Sequence, residues 1–316
     1  MSDSFSGAAH HIESPQRTRS QIVWFILARF LQRLIFSVIL ILGVIFFVAF
    51  AMSLARGGGY TAILEATPLA WDATIQFLDD AFGGRLEAIE ELGRALPKSL
   101  GLLGASLFLG VFLGILFGGL AALYRNSRIS TLIINGSIIG ISTPSYVAAM
   151  FLIWTVVWIY QKTDVRILPV YGFGWDLRMI MPTLVLATRP MANITRLTYT
   201  ALKDVYEADY VRTAYSKGLR PWFVFLRHVL RNAGIPILTT ASVSMRFSLS
   251  MLPIVERIFA WVGIGYAILD AAQSGNFQLI VLLIIPFVFI YALITILLDF
   301  LYPFIDPRLL TAKGPE

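Results

Sequence analysis

Apolar residues come in long blocks along this chain, separated by shorter stretches in which the charges gather. Six blocks reach the length, about 20 residues, that a helix needs to cross the hydrocarbon of a bilayer. They run about Leu34 to Leu54, Ser99 to Leu123, Thr131 to Tyr160, Met181 to Thr200, Ala233 to Val255 and Gln278 to Tyr302. The pattern predicts an all-α membrane protein with six transmembrane helices in one domain, residues 34–308. Ahead of it, residues 1–20 are polar and read as a tail. Residues 21–33 are apolar except for Gln21, Gln32, Arg29 and Arg33, and the two arginines stand one helical turn apart. Such a pair reads as a helix lying at the membrane surface with its arginines reaching to the headgroups. Ala49-Phe50-Ala51 has the look of a signal cleavage site, but the apolar run before it is longer than a signal core. Residues 309–316 read as a second polar tail.

The charges sort the loops into two sides. Residues 55–97 hold Glu65, Asp72, Asp79, Asp80, Glu87, Glu90 and Glu91 against Arg56, Arg85 and Arg94, which suits the outer face. Within them, Leu78, Phe82, Leu86, Ile89 and Leu92 mark amphipathic helix, and Gly57-Gly58-Gly59 a flexible exit from the first span. Tyr124-Arg125-Asn126-Ser127-Arg128 is a tight positive turn, and residues 199–236 carry Lys203, Arg212, Lys217, Arg220, Arg227 and Arg231. Positive residues beside spans resist translocation, so both belong inside the cell and both termini are expected there. Lys162 to Arg178 reads as a short outer loop.

Residues 199–236 form the longest markedly polar segment between two strongly apolar ones. Ala201 to Lys217 lacks Gly and Pro, and Val205, Tyr206, Ala208, Tyr210, Val211, Ala214 and Tyr215 recur at helical spacing, predicting a short amphipathic helix. Gly218 ends it and Pro221 can open a second helix through Phe223, Leu226, Val229 and Leu230. Helix, glycine turn and helix make a compact knob.

Inside the spans a few residues depart from plain hydrophobicity. Gly104, Gly110, Gly114 and Gly118 include small residues four apart in the second span, which permit close helix contact. Pro144, in Ser142-Thr143-Pro144-Ser145, frees a backbone carbonyl in mid-span, which is tolerable only where protein or water satisfies it. Arg189 and Arg246 sit at depth, where an unpaired arginine costs at least about 2.5 kcal/mol. Arg189, Asn193 and Arg196 share one helix face, and Thr239, Ser242, Arg246 and Ser250 another. The two arginines either meet anionic groups on a cargo or bond backbone carbonyls and partner side chains.

Composition excludes several chemistries. The 316 residues are 57% hydrophobic and 14% charged, against about a quarter charged in soluble domains. The net charge of +6 lies beside apolar spans instead of forming one stripe, so membrane topology accounts for it and nucleic acid is not an expected partner. With no cysteine and three histidines, His10, His11 and His228, no thiolate or imidazole metal site is expected in the membrane. The chain has no G-x-x-x-x-G-K-[ST], so it is not expected to hold ATP by that device. No carboxylate lies in mid-span, Asp299 being near the inner end of the sixth, and this disfavours proton coupling. Serines without a partnering His or carboxylate at depth do not make an intramembrane enzyme, and a passive channel has no need of a glycine-turned knob.

The run Ala208 to Pro236, ADYVRTAYSKGLRPWFVFLRHVLRNAGIP, resembles the cytoplasmic coupling loop of binding-protein-dependent ABC transporter permeases of the peptide and nickel subfamily. Members typically read DYVRTARAKGL followed by a basic stretch like LRHALRNALIP. Arg212-Thr213-Ala214 stands where the wider superfamily has EAA, Gly218 keeps its spacing, and His228-Val229-Leu230-Arg231 replaces I-x-L-P. Ser142, Pro144 and Ser145 match the family's S-x-P-S, open to reading as pore-facing or as a simple kink. Val255 to Gly265 resembles V-E-x-x-F-x-x-P-G-x-G, with Glu256, Phe259, Gly263 and Gly265 in matching positions and Val262 where Pro is usual. Asp306-Pro307-Arg308 matches a D-P-R tail.

The resemblance covers nearly the whole chain after Gln21. It implies a type I importer permease of the inner membrane, without an ATPase site of its own, whose coupling loop 199–232 docks on cytoplasmic ATPases through Glu207, Ala208, Tyr210, Gly218 and Arg220. It also implies a second homologous permease, two ATPase subunits that hold ATP and Mg, and a periplasmic binding protein facing residues 55–97. Peptides or a similar small solute are the implied cargo, with a nickel chelate or another non-peptide solute as the alternative. The deep sites Arg189 and Arg246 depart from the subfamily, which usually has small or apolar residues there.

Overall fold

The structure is a computed structural model that describes residues 19–56, 62–82, 89–224 and 230–305. Among these residues every regular element is helical. In chain order they are α1 (Arg19–Arg56), α2 (Ala62–Phe82), α3 (Ile89–Leu123), α4 (Arg128–Ser142), α5 (Ser145–Thr163), a 3-10 turn (Leu177–Met179), α6 (Ile180–Glu207), α7 (Asp209–Ser216), α8 (Pro221–Val224), α9 (Leu230–Ile258), α10 (Ile264–Ser274) and α11 (Phe277–Ile305).

Central in this arrangement is α6, which packs against α3, α4, α5 and α9. Its contact with α3 is the tightest because three glycines of α3 face it. A Cβ at Gly114 would lie 2.7 Å from Ile194 Cβ, and one at Gly118 would lie 2.6 Å from the Thr195 carbonyl. Gly110 meets Pro190 in the same way. Small residues four apart let the backbones approach until dispersion contacts run the length of the seam. Gly104, expected in that seam, instead faces open space, with nothing within 4 Å of a Cβ.

Two apolar centres lie at opposite ends of α6. One gathers Leu102, Met181, Val185, Leu252, Phe259 and Trp261; the other gathers Ala122, Ile194, Leu202, Val211, Ala214, Val224, Ile237 and Ala241. On α3 these ends are marked by Ser99 and Ala122, 23 residues or about 34 Å apart at helical rise, close to the thickness of a bilayer's hydrocarbon.

Length and composition make α1, over Leu31–Leu54, and α3 sufficient to cross a membrane; α4 and α5 qualify together, and α11 has a shorter apolar stretch, Phe277–Leu293. Leu34, Ile35, Phe36, Val38, Ile39 and Phe47 of α1 are exposed. Such an apolar surface suits lipid.

Several expected boundaries move. Residues 21–33, expected as a separate surface helix, continue into the first span as one 38-residue helix, since nothing between Gln21 and Leu54 breaks it. The segment expected as an outer loop is largely helical where described, with α2 packed on α1 and α3 beginning ten residues before Ser99. The third span is not one kinked helix: α4 and α5 meet at 109°. Thr143 (φ −80°, ψ 121°) and Pro144 (φ −61°, ψ 140°) are both extended, and Pro144 has no N–H with which to continue the helix. Gly57 to Gly59, Asp306-Pro307-Arg308, residues 1–18 of the expected tail 1–20 and the whole expected tail 309–316 lie outside the described residues, while residues 19–20 open α1.

Candidate functional site

Three groups of candidate residues occupy three levels of the bundle. At one end is the knob. It is not the single helix expected over Ala201 to Lys217, because α6 runs unbroken to Glu207 and the chain turns at Ala208 (φ −71°, ψ 141°) before α7 starts at Asp209. Glu207 and Ala208 therefore form the elbow, and α7 with α8 forms the tip. Gly218 does end the α7 turn: its φ is +73°, a conformation glycine adopts without steric cost. Leu219 N donates to the Ala214 carbonyl at 3.3 Å, closing the helix end. Of the second helix α8 is described, with residues 225–229 outside the description.

Of the apolar positions expected along this stretch, α7 buries Val211 and Ala214 and exposes Tyr210. Val211 and Ala214 are buried with Val224 against Ala122, Leu202, Ile237 and Ala241, which fastens the knob to the ends of α3, α6 and α9. Glu207, Tyr210, Gly218 and Arg220 are exposed, and Ala208 is half-buried. Leu219 and Phe223 also stand exposed there, two apolar residues that the charge pattern of the segment did not single out. The Arg125 guanidinium lies 5.9 Å over the Tyr206 ring, so the positive turn 124–128 and the knob share one end of the bundle, as their common charge requires.

At the opposite end α9 meets α10. Glu256 is wholly buried and acts as an acceptor hub: Ser99 Oγ donates to Oε1 at 2.5 Å and Tyr266 N to Oε2 at 3.1 Å. Ile264 N donates in turn to Ser99 Oγ at 2.7 Å. Gly263 is the N-cap residue of α10, and its missing side chain leaves the space that the Glu256 and Ser99 oxygens fill. The carboxylate thus satisfies amides of the first turn of α10, where a helix favours negative charge. Phe259 and Gly265 are buried beside it, Gly265 against Pro253. Val262, where the family motif has proline, is exposed, so its identity does not disturb the packing. These motif residues build a corner instead of presenting a surface.

The same corner recruits residues that no pattern had marked. Trp261 is fully buried and donates Nε1–H to the Lys98 carbonyl at 3.1 Å. Phe173 and Trp175 pack edge-on against it at 4.8 and 5.7 Å, and Gly172 N donates to the Phe259 carbonyl at 2.9 Å. The loop before α6 is therefore tied to the α9–α10 corner. Ser99 lies 157 positions from Glu256, and only the fold brings them together.

Between the ends lie the deep cations. Arg189 and Asn193 are half-buried and Arg196 exposed. The Arg189 guanidinium lies 3.9 Å over the Phe247 ring centroid, and that of Arg246 lies 5.9 Å over Tyr291. Neither sequence alternative, a cargo anion or backbone carbonyls and partner side chains, named these aromatic faces within the chain. Ser250 Oγ donates to the Arg246 carbonyl at 3.1 Å; the Ser242 side chain lies outside the description. At the α4–α5 bend Ser142 and Pro144 are exposed and Ser145 is buried.

Residues 110–311 match the family model described as binding-protein-dependent transport system inner membrane component. The chain is similar to the probable peptide ABC transporter permease protein y4tP of Sinorhizobium fredii, at 31% identity over 70% of this chain and 72% of that protein. It is similar to the dipeptide transport system permease protein DppB of Bacillus subtilis, at 30% identity over 71% of each. For the glutathione transport system permease protein GsiC of Shigella flexneri the identity is 31%, over 71% of this chain and 72% of that protein. Among solved structures, a chain of the inward-facing MetNI methionine ABC transporter superposes with a TM-score of 0.58 at 16% identity, covering 69% of this chain and 97% of that one. That likeness is one of fold.

Proposed function

Because this chain belongs to the binding-protein-dependent transport system inner membrane components, the permease subunits of ABC importers, we propose that it is the permease for peptides or chemically similar small solutes. The names of its relatives support that cargo: peptide, dipeptide and glutathione systems. The chain is not itself an enzyme; the ATPase belongs to a partner. In this reading α1, α3, the α4–α5 pair, α6, α9 and α11 make six crossings with both termini in the cytoplasm. A second homologous permease completes the pathway, two ATPase subunits with their ATP and Mg grip the knobs, and a periplasmic binding protein delivers cargo to the opposite end.

The observation that carries the reading is the knob. Its inner face is buried in the apolar centre at the end of α6, while Glu207, Tyr210, Leu219, Arg220 and Phe223 are exposed. A docked ATPase that closes on nucleotide would push α7, and through the Ala208 elbow the force reaches α6, the helix on which α3, α4, α5 and α9 all pack. Rigid packing turns a small displacement there into a change of tilt at the other end. The α4–α5 bend, with Ser142, Pro144 and Ser145, interrupts the helical wall and gives the pathway its irregular backbone.

The test is to isolate the intact assembly from membranes through a tag on this chain and identify its companions by mass. A nucleotide-binding subunit and a second permease are expected, with a binding protein that carries a peptide. Recovery of the chain as a stable species with no nucleotide-binding subunit would contradict the reading.

A further inference from the structure

The two deep arginines lie at one level of α9, on either side of an open strip. Arg246 is ten residues, about 15 Å, from Glu256 at the corner and nine residues, about 13 Å, from Ile237 at the knob end. Phe247, which carries the Arg189 guanidinium, directly follows Arg246. One cation therefore flanks α9 on its α6 side and the other on its α11 side. Between them α9 exposes Val243, Ser250 and Ile254, while Ile237, Ala241, Ser244, Ser248 and Leu252 of its opposite face are buried.

The chemistry of each arginine is incomplete as it stands. A ring face attracts the charge of a guanidinium but does not supply the acceptors that its five N–H donors can take. The salt bridges among the described residues join Arg94 to Glu90, Arg178 to Asp176 and Arg257 to Asp270, and neither deep arginine takes part in them. A guanidinium held over an aromatic ring has less freedom left to lose on binding, and its planar fork matches a carboxylate bidentately.

We infer that Arg189 and Arg246, braced on Phe247 and Tyr291, form a carboxylate-reading station on the open face of α9. The cargo is then a solute with more than one carboxylate, such as a peptide with an acidic side chain. The inference rests on the peptide-importer reading and narrows it. Asn193, one turn along α6 from Arg189, is placed to offer the same cargo an amide.

The assembled transporter, with its ATPase and binding protein, is reconstituted in proteoliposomes and offered an equimolar mixture of di- and tripeptides with and without Asp or Glu. Mass spectrometry then reads what accumulates inside. The binding protein is common to all variants, so differences between them report on the permease. Wild type is expected to enrich acidic peptides. Arg189→Gln and Arg246→Gln should each lower the acidic-to-neutral ratio about tenfold, the scale of one lost charge-assisted bond, while Arg189→Lys and Arg246→Lys keep most of it. An unchanged ratio in the Gln variants overturns the inference. So does equal loss of every peptide in both Gln and Lys variants, the signature of a packing role. A wild type that accumulates no peptide overturns the peptide reading itself, and this inference with it.

Discussion

Truncating the two exposed aromatic side chains of the knob, Tyr210→Ala with Phe223→Ala, is expected to reduce uptake at least about 30-fold while the permease still folds. Both rings are roughly half exposed, and aromatic side chains at the tip of a docked helix are the usual anchors of an interface. Each such anchor is commonly worth about 2 kcal/mol, or some 30-fold in affinity. The residues that hold the knob to its own chain, Val211, Ala214 and Val224, are buried on the other face and stay untouched. The check measures uptake together with the amount of ATPase subunit retained on the purified permease. Both should fall together, and the thermal midpoint of the permease should change little.

Glu256→Leu is expected to act at the opposite end and in the opposite manner, through stability. Removing the carboxylate leaves Tyr266 N and Ser99 Oγ without their acceptor, and Ser99 then loses the geometry in which it receives Ile264 N. Each buried donor left unmade costs about 1–3 kcal/mol. Relief from burying a charge offsets part of the sum, which leaves a net loss of about 2–4 kcal/mol. Glu256→Gln keeps one oxygen to accept Ser99 and should lose about half as much. Thermal unfolding of the purified assembly checks the order: wild type above Gln above Leu. Equal midpoints for wild type and the Leu variant would show that the corner is held by its aromatic packing alone.

The two variants separate what the sequence made legible from what it did not. Periodicity located the knob, because an amphipathic face repeats every turn and Gly218 marks where the turn must reverse. The break at Ala208 was not legible, since alanine there carries no signal and α6 ends where α7 begins to pack on Ala122 and Leu202. The seam of Gly110, Gly114 and Gly118 could be read from spacing, whereas the exclusion of Gly104 depends on which way α3 faces. At Pro144 the place of the bend was legible but its angle was not, because that depends on two consecutive extended residues. Glu256 was singled out by motif; its partner Ser99 and the Trp175, Phe173 and Trp261 cluster were not, because contacts across more than 80 positions leave no local trace. The deep arginines were conspicuous by cost alone, and their aromatic braces became visible only when α6, α9 and α11 were set side by side.

The claim that this chain is driven through its knob can be tested at a single atom. The chain contains no cysteine, so Tyr210→Cys introduces one thiol at an exposed position of α7, to which a benzophenone maleimide can be attached in isolated membranes. On irradiation the account predicts an adduct with a nucleotide-binding subunit whose yield changes when ATP is added. An adduct with the solute-binding protein, or none with any nucleotide-binding subunit, would contradict it.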